Sequence, residues 1–395
     1  MAKLSPSAPP NLKPRLLFVG TQMLVAGAQT ALLAQARWFH AQGYPVPAVF
    51  FYDKQNIAGR WRAENPFPII DLRAWRADGN LLGNGLRLAF GLLRFLRLLL
   101  SGKFHAVETF TPHCNLLAIP PAWLARVPVR LATHHGYLDS MPPWLLRLHG
   151  RLINRGLATR LVAVSGLVKK FAVEVEKVEE GRVDVILNGI NDPTPDALSP
   201  AQQRDLRASL DISEGAPLIL TAGRLIHQKG HTYLLDAIPE VLEQHPKATF
   251  VFAGEGVSGE NLVRKSSEMG IEGAVRFLGH RLDVRQLMSS ADLFVLPSLW
   301  EGLPLALLEA MWLGLPVVAT QVEGVVEAVQ HQLSGLLVPP KDSRALAAAL
   351  TRLLRDRGEA RSLGEQAAKV VKSLFTTERM CREYEQLFLN SYPPG

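Results

Sequence analysis

Two parallel α/β domains, each a doubly wound sheet, are what the sequence predicts, and three observations lead there. Its 395 residues exceed what a single hydrophobic core organises and suit two domains of about 200 residues each. Short apolar runs alternate with helical patterns along most of the chain, as a parallel sheet covered on both faces requires. The segment NDPTPDALSPAQ, residues 191–202 with Pro193, Pro195 and Pro200, breaks that alternation once and reads as a linker between domains.

Element by element, the first 14 residues, MAKLSPSAPPNLKP, carry prolines and small residues with no apolar period and read as a tail. The stretch RLLFVGTQMLVAGAQTALLAQA (15–36) has the outward look of an export leader, but Gly20, Thr21 and Gln22 cut its apolar run; taken alone it leaves open both a leader and a strand, loop and helix. The first strand is expected to reach Gly20 and the helix to run over 30–41. Strands are then expected over 46–52, 106–109, 131–133, 161–164 and 183–187, with a long helix near 85–100. The second series predicts strands at 217–223, 248–254, 275–279, 292–297, 316–320 and 335–340, with a helix from about 231. From Ser343 to Tyr392 the pattern is helical throughout. Ligands of two such domains belong at the carboxyl ends of the strands, in a cleft between the domains. Domain boundaries follow as 1–14 tail, 15–195 first domain with a returning helix over about 376–392, and 196–375 second domain.

Composition narrows the function classes. The formal charge of +7 and pI near 9.5 favour anionic partners: phosphorylated ligands, anionic lipid or nucleic acid. Cys114 and Cys381 belong to no metal or redox spacing, which fits a reducing cytoplasm and no structural zinc. No apolar run is long enough to span a bilayer. The nearest, LRLAFGLLRFLRLLL (86–100), is interrupted by Arg87, Arg94 and Arg97 and reads as a buried helix or one lying on a membrane; burial is the expectation. Arg147, Arg151, Arg155 and Arg160 add basic character to the same half.

Three motifs carry chemistry. Gly254, Gly256 and Gly259 form a G-x-G-x-x-G pattern after a strand, but the next strand, VRFLGH, ends without the acidic residue a dinucleotide site needs. The glycines therefore read as a tight turn beside some other nucleotide. In AGRLIHQKG, Gly223, Arg224 and Lys229 lie between strand and helix, where a guanidinium fork and an ammonium could grip a diphosphate. The chain has no D-x-D triplet, consistent with a clamp made of protein alone. In PSLWEGLPLALLEAMWLGLPVVAT, Glu301 precedes a helix that Pro304 opens and Glu309 sits on its second turn. The amides near Gly302, Leu303 and Leu305 and the helix dipole would face a phosphate, with a carboxylate to either side for sugar hydroxyls.

These last two stretches, with GAQTALLAQARWFHAQGYPV, THHG, LVAVSG, LNGI and SGLLVPPKD, resemble the retaining glycosyltransferases of family 4, which have the GT-B fold of two facing Rossmann-like domains. The resemblance covers most of the chain. It implies an acceptor-binding first domain, a donor-binding second domain and a last helix that crosses back to the first. It further implies that Arg224 and Lys229 hold the donor diphosphate, Glu309 the ribose and Glu301 hydroxyls of the transferred sugar. Backbone at Leu278, Gly279 and His280 would hold the base. His135 would approach the donor sugar, with His134 its neighbour, and Gly27, Ser165 and Asn188 match positions near the cleft. Two departures stand out: Ala26 precedes Gly27 where two glycines are common, and Glu323 stands where glycine is common.

The activity implied is transfer of a sugar, with a UDP-sugar favoured, to a hydroxyl of a glycan or lipid-linked acceptor in polysaccharide or lipopolysaccharide synthesis. Configuration would be retained, with no metal or cofactor and no nucleic-acid partner. The setting would be the cytoplasm, at the inner face of the plasma membrane where the basic, apolar first domain meets anionic lipid. Two alternatives remain at this point: a nucleotide-dependent oxidoreductase or epimerase using the glycine turn, and a non-catalytic lipid-surface scaffold.

Overall fold

The computed structural model describes residues 13–25, 27–135 and 141–392. It divides into two compact units, one running to Leu187 and resuming at Thr377, the other spanning Asn188–Thr376.

The first unit holds seven parallel strands: β1 (Leu16–Met23), β2 (Ala48–Asp53), β3 (Ile69–Asp71), β4 (Ala106–Phe110), β5 (Val129–His134), β6 (Arg160–Ala163) and β7 (Val183–Val185). Its helices are α1 (Gly27–Ala41), α2 (Ala58–Glu64), α3 (Leu81–Gly102), α4 (Pro112–Leu124), α5 (Pro143–Asn154) and α6 (Gly166–Glu174). The order across the sheet is β3-β2-β1-β4-β5-β6-β7, so the chain direction of winding reverses between β1 and β4. Strands such as β4 are buried along their whole length, as expected when helices cover both faces.

The second unit repeats the plan with β8 (Leu218–Ala222), β9 (Thr249–Ala253), β10 (Val275–Phe277), β11 (Leu293–Leu296), β12 (Val317–Thr320) and β13 (Leu336–Val338). Between and after them come α7 (Pro200–Ser209), α8 (His231–Gln244), α9 (Gly259–Glu268), α10 (Val284–Ser290), α11 (Leu305–Trp312), α12 (Glu323–Val326), α13 (Ser343–Arg355) and α14 (Arg357–Leu374). The order is β10-β9-β8-β11-β12-β13, with its reversal between β8 and β11.

The last helix, α15 (Thr377–Asn390), rejoins the first unit. Met380, Cys381, Tyr384 and Phe388 are buried in one core with Phe18, Phe39 and Phe50, and Tyr44 donates to Glu385 at 2.5 Å. The second unit begins at Asn188, ahead of the boundary expected at 195. The Ile190 amide donates to the Phe375 carbonyl at 2.8 Å, which fastens the start of this segment to the end of α14.

Two local expectations need correction, and two elements carry no signal in the sequence. The first strand continues three residues past Gly20, and its helix begins at Gly27 rather than Thr30. Strand β3 escaped notice because it is three residues long. Helix α4 contains Pro120 and Pro121, which read as breakers in a sequence. The long helix α3 is not a buried element: Asn84, Gly91, Phe95 and Leu99 face inward, while Leu81, Leu82, Leu86, Phe90, Leu93 and Leu100 are exposed. No helix among the described residues is long and apolar enough to cross a membrane.

Candidate active site

The winding of the second sheet reverses between β8 and β11, and the carboxyl ends of such strands are where open α/β sheets take ligands. Two loops meet there. The loop after β8 turns at Gly223, φ 154°, and ends at Gly230, φ 62°. A Cβ on Gly230 would fall 2.1 Å from the Pro297 carbonyl oxygen, so only glycine lets this loop press against the one after β11. The Leu299 amide donates to Gln228 O at 2.8 Å, and Gln228 Nε2 donates to Trp300 O at 3.0 Å.

This docking brings Lys229 Nζ within 2.5 Å of Glu301 Oε1, across 72 residues of sequence. Ser298 Oγ donates to the same oxygen at 2.6 Å, and the Ser298 carbonyl accepts from the Thr320 hydroxyl. Glu301 is 5% exposed, and its Oε2 has no partner among the described residues. Arg224 is exposed, and its guanidinium has no partner among the described residues. A lysine held by a carboxylate beside an unpaired arginine is a cationic site that an incoming phosphate can complete.

Helix α11 starts directly behind. Pro304 is its N-cap residue, one position earlier than the first helical place expected, and Leu305 is the first residue of the helix. The amides of Gly302, Leu303 and Leu305 donate to no backbone acceptor among the described residues. The loop is backed by Gly324, where a Cβ would meet the Gly302 carbonyl at 2.1 Å; the neighbouring Glu323 is exposed. Glu309, half-buried on α11, accepts at Oε1 from Arg285 Nε (3.1 Å) and Nη2 (2.8 Å). Arg285, a lone arginine on the short helix α10, belongs to no motif in the sequence.

The glycine fingerprint has a structural explanation. A Cβ on Gly254 would lie 1.9 Å from the Gly223 carbonyl oxygen, and one on Gly256 2.4 Å from that of Leu225. Backbone pairs Gly223 N to Ala253 O and Leu225 N to Glu255 O close the seam at 3.0 and 2.9 Å. These two glycines are consumed by loop-to-loop packing, which removes the observation behind a dinucleotide site. The turn at Gly279, φ 64°, bridges Gly254 on its other side, so Leu278, Gly279 and His280 adjoin the same row of strand ends.

In the first unit the corresponding reversal lies between β1 and β4, where Thr21 and Thr111 hydroxyls are 3.4 Å apart. His135 follows β5, stacked on Phe110 with ring centroids 5.2 Å apart. The Thr133 hydroxyl donates to Thr109 O at 2.9 Å, so toward His135 Nε2, 3.0 Å away, it can only accept. That fixes the Nε2–H tautomer and leaves Nδ1 as an acceptor. Burial, with His134 adding to it, pushes the His135 pKa down to about 3, so the ring is neutral.

His134 is a correction. Adjacent residues of a strand point to opposite faces, and His134 is fully buried, 3.4 Å from Glu176 Oε1 and edge-on to Phe171. It is part of the core and not a ligand contact. His149 Nδ1 sits 2.9 Å from Glu176 Oε2, and its Nε2 is 2.9 Å from Asn115 Nδ2, which also donates to Thr133 O. Burial raises the Glu176 pKa, but hydrogen bonds and charge from His134 and His149 outweigh it and hold the carboxyl at about 2. Ser165 caps α6, accepting from the Val168 amide, which accounts for it without a ligand. Asn188 is buried at the start of the second unit, and Gly27 is exposed at the start of α1. Ala26 and Gly136 of THHG lie outside the described residues.

Residues 26–189 match the glycosyl transferase 4-like domain family, and residues 202–370 match the glycosyl transferases group 1 family. An uncharacterized glycosyltransferase of Methanocaldococcus jannaschii is 33% identical over 227 residues, 57% of this chain and 58% of that protein's length. The UDP-Gal:alpha-D-GlcNAc-diphosphoundecaprenol alpha-1,3-galactosyltransferase of Escherichia coli is 29% identical over 275 residues, 67% of this chain and 70% of its own. The crystal structure of HepE from Anabaena in complex with UDP-glucose superposes with a TM-score of 0.83 at 21% identity, covering 96% of this chain and 100% of that one. With two Rossmann-like units of matching strand order and a family model on each, the chain belongs to the group 1 glycosyl transferases of the family 4 type, with the GT-B fold.

Proposed function

We propose that this protein transfers a sugar from a nucleoside-diphosphate sugar, most naturally a UDP-sugar, to a hydroxyl of a glycan or lipid-linked acceptor, retaining the anomeric configuration and using no metal. The observation that carries this reading is the Lys229–Glu301 contact at the reversal point of the second sheet, in front of the start of α11. In the reaction the bond from the anomeric carbon to the diphosphate breaks and negative charge collects on the departing phosphate. Lys229 and the amides ahead of α11 are held before that charge appears, so they stabilise the transition state more than the ground state, and the unpaired Arg224 guanidinium adds to them once a phosphate is bound. The unpartnered Glu301 Oε2 accepts from a hydroxyl of the moving sugar, and Glu309 accepts from the ribose. The turn at Leu278, Gly279 and His280 serves the base. His135, neutral and offering Nδ1, accepts a hydrogen bond from substrate and does not supply a charge.

The printed name of the Escherichia coli relative, with its UDP-Gal donor and diphosphoundecaprenol acceptor, and the UDP-glucose complex of HepE support the choice of donor and a lipid-linked acceptor. The exposed leucines and Phe90 of α3, set beside Arg87, Arg94 and Arg97, support contact with anionic lipid at the cytoplasmic face of a membrane.

The test is release of nucleoside diphosphate from a panel of UDP-, GDP- and ADP-sugars. Release from at least one, abolished in Lys229→Ala, is the expected outcome, and NMR of the product should show the donor's anomeric configuration kept. No release from any donor, or release undiminished by Lys229→Ala, would sink the assignment.

A further inference from the structure

Arg285 lies on α10, outside every motif the sequence offered, and it holds two carboxylates at once. Its Nε and Nη2 converge on a single oxygen of Glu309, at 3.1 and 2.8 Å. Its Nη1 reaches Asp196 Oδ2 at 2.8 Å, in the short turn Thr194–Asp196 that precedes α7. The Glu309 side chain is 19% exposed. Its Oε2 accepts from no described residue, so the clamp takes one oxygen and turns the other outward. Two N–H donors meeting at one oxygen, on a guanidinium whose remaining arm is held by Asp196, hold that oxygen in place, whereas a point charge fixes only its distance. Without it, a glutamate on an eight-residue helix has several rotamers of similar energy, and ordering them on binding costs affinity.

We propose that Arg285 is a positioning residue for donor recognition: backed by Asp196, it fixes Glu309 so that one carboxylate oxygen is presented to the ribose hydroxyls, and thereby sets the preference for ribonucleotides. The inference rests on the reading of Glu309 given above and adds the residue that makes that contact selective. Arg285 itself touches no substrate; its effect passes through Glu309. Charge balance agrees, since one guanidinium between two carboxylates leaves the cluster net negative, suited to hydroxyl donors and unsuited to phosphate.

The experiment is calorimetric binding of UDP, GDP and ADP, and of their 2′-deoxy counterparts, to the full chain as wild type, Arg285→Ala, Arg285→Lys and Asp196→Asn. Melting temperatures of the ligand-free variants report folding separately. Wild type is expected to bind at least one ribonucleotide about tenfold more tightly than its 2′-deoxy form, the scale of one hydrogen bond to a charged group. In Arg285→Ala that ratio falls toward one while binding of the deoxy form changes less than about twofold. Arg285→Lys recovers part of the ratio, and Asp196→Asn lowers it by a smaller factor. If Arg285→Ala does not fold, the Lys and Asn variants carry the test. A ratio unchanged in all folded variants overturns the role of Arg285 alone. A wild type with no ribose preference, or with no nucleotide binding at all, overturns the ribose reading of Glu309 and this inference with it.

Discussion

At the winding reversal of the second unit, Arg224 is exposed, Lys229 is partly buried and held by Glu301, and Glu301 keeps one oxygen unpartnered. At the same point of the first unit the loops offer hydroxyls and an aromatic face, Thr21, Thr111 and Phe110. Its ionisable groups, His134, His149 and Glu176, are fully buried behind the sheet end. The strand orders match over six strands, so the difference lies in which side chains the loops carry and which way they point. Exposed charge can exchange partners with a ligand at little cost, whereas a buried set is costly to disturb and holds its neighbours still. The second unit thus has the makings of an anion site and the first a rigid platform for a neutral histidine.

The largest expected effect breaks the buried side of this contrast. Glu176→Ala should destabilise the first unit by about 3 to 5 kcal/mol, the usual cost of removing one member of a buried polar set, read as an earlier unfolding transition of that unit in denaturant. The acid response follows from the same residue. Glu176 has a folded pKa of about 2 against an ordinary 4.5, so its contribution is fully present above pH 4.5 and is lost as pH falls from there toward 2. Glu176→Gln should lack that acid arm; an unchanged acid transition would remove the buried set from the account.

Next comes the second unit. Lys229→Ala should cost a hundredfold or more in turnover, about 3 kcal/mol of barrier, with folding of the first unit unaffected. His135→Asn should cost less, roughly tenfold in kcat, about 1.4 kcal/mol. Because the ring is neutral across the working range, its pKa held near 3, the pH–rate profile between 5 and 8 should keep its shape in that variant. The smallest expected effect is on stability at α3: Leu86→Gln and Phe90→Gln should shift it by less than about 0.5 kcal/mol, yet lower binding to anionic vesicles at low salt. Unchanged vesicle binding would remove lipid from the reading of that face.

How much of this was legible in the sequence varies by residue. The alternation of elements could be read because apolar runs are local signals, whereas the second unit starts at Asn188, ahead of the prolines that suggested a boundary at 195. Strand β3, of three residues, and α4, with two internal prolines, could not. Glu301 and Lys229 were each visible in a motif, but their contact depends on Gly230 pressing against Pro297, a tertiary fact. The role of Arg285 was invisible for want of any pattern around it. Glu176, in VEVEKVEE, looks like one more charge on a solvated run; only packing against Gly150, where a Cβ would meet its carbonyl at 1.9 Å, puts it inside. His134 misled for the opposite reason, because its motif partner His135 faces the other way from the same strand end.

The central claim is that Lys229 and its surroundings form a diphosphate site. Its most direct test is the rise in melting temperature of the second unit on adding UDP, GDP or ADP, compared between wild type and Lys229→Ala, with Glu365→Gln, exposed on α14, as a control outside the site. At least one nucleotide should stabilise wild type and Glu365→Gln, and stabilisation should be lost in Lys229→Ala. Equal stabilisation of Lys229→Ala and wild type would contradict it.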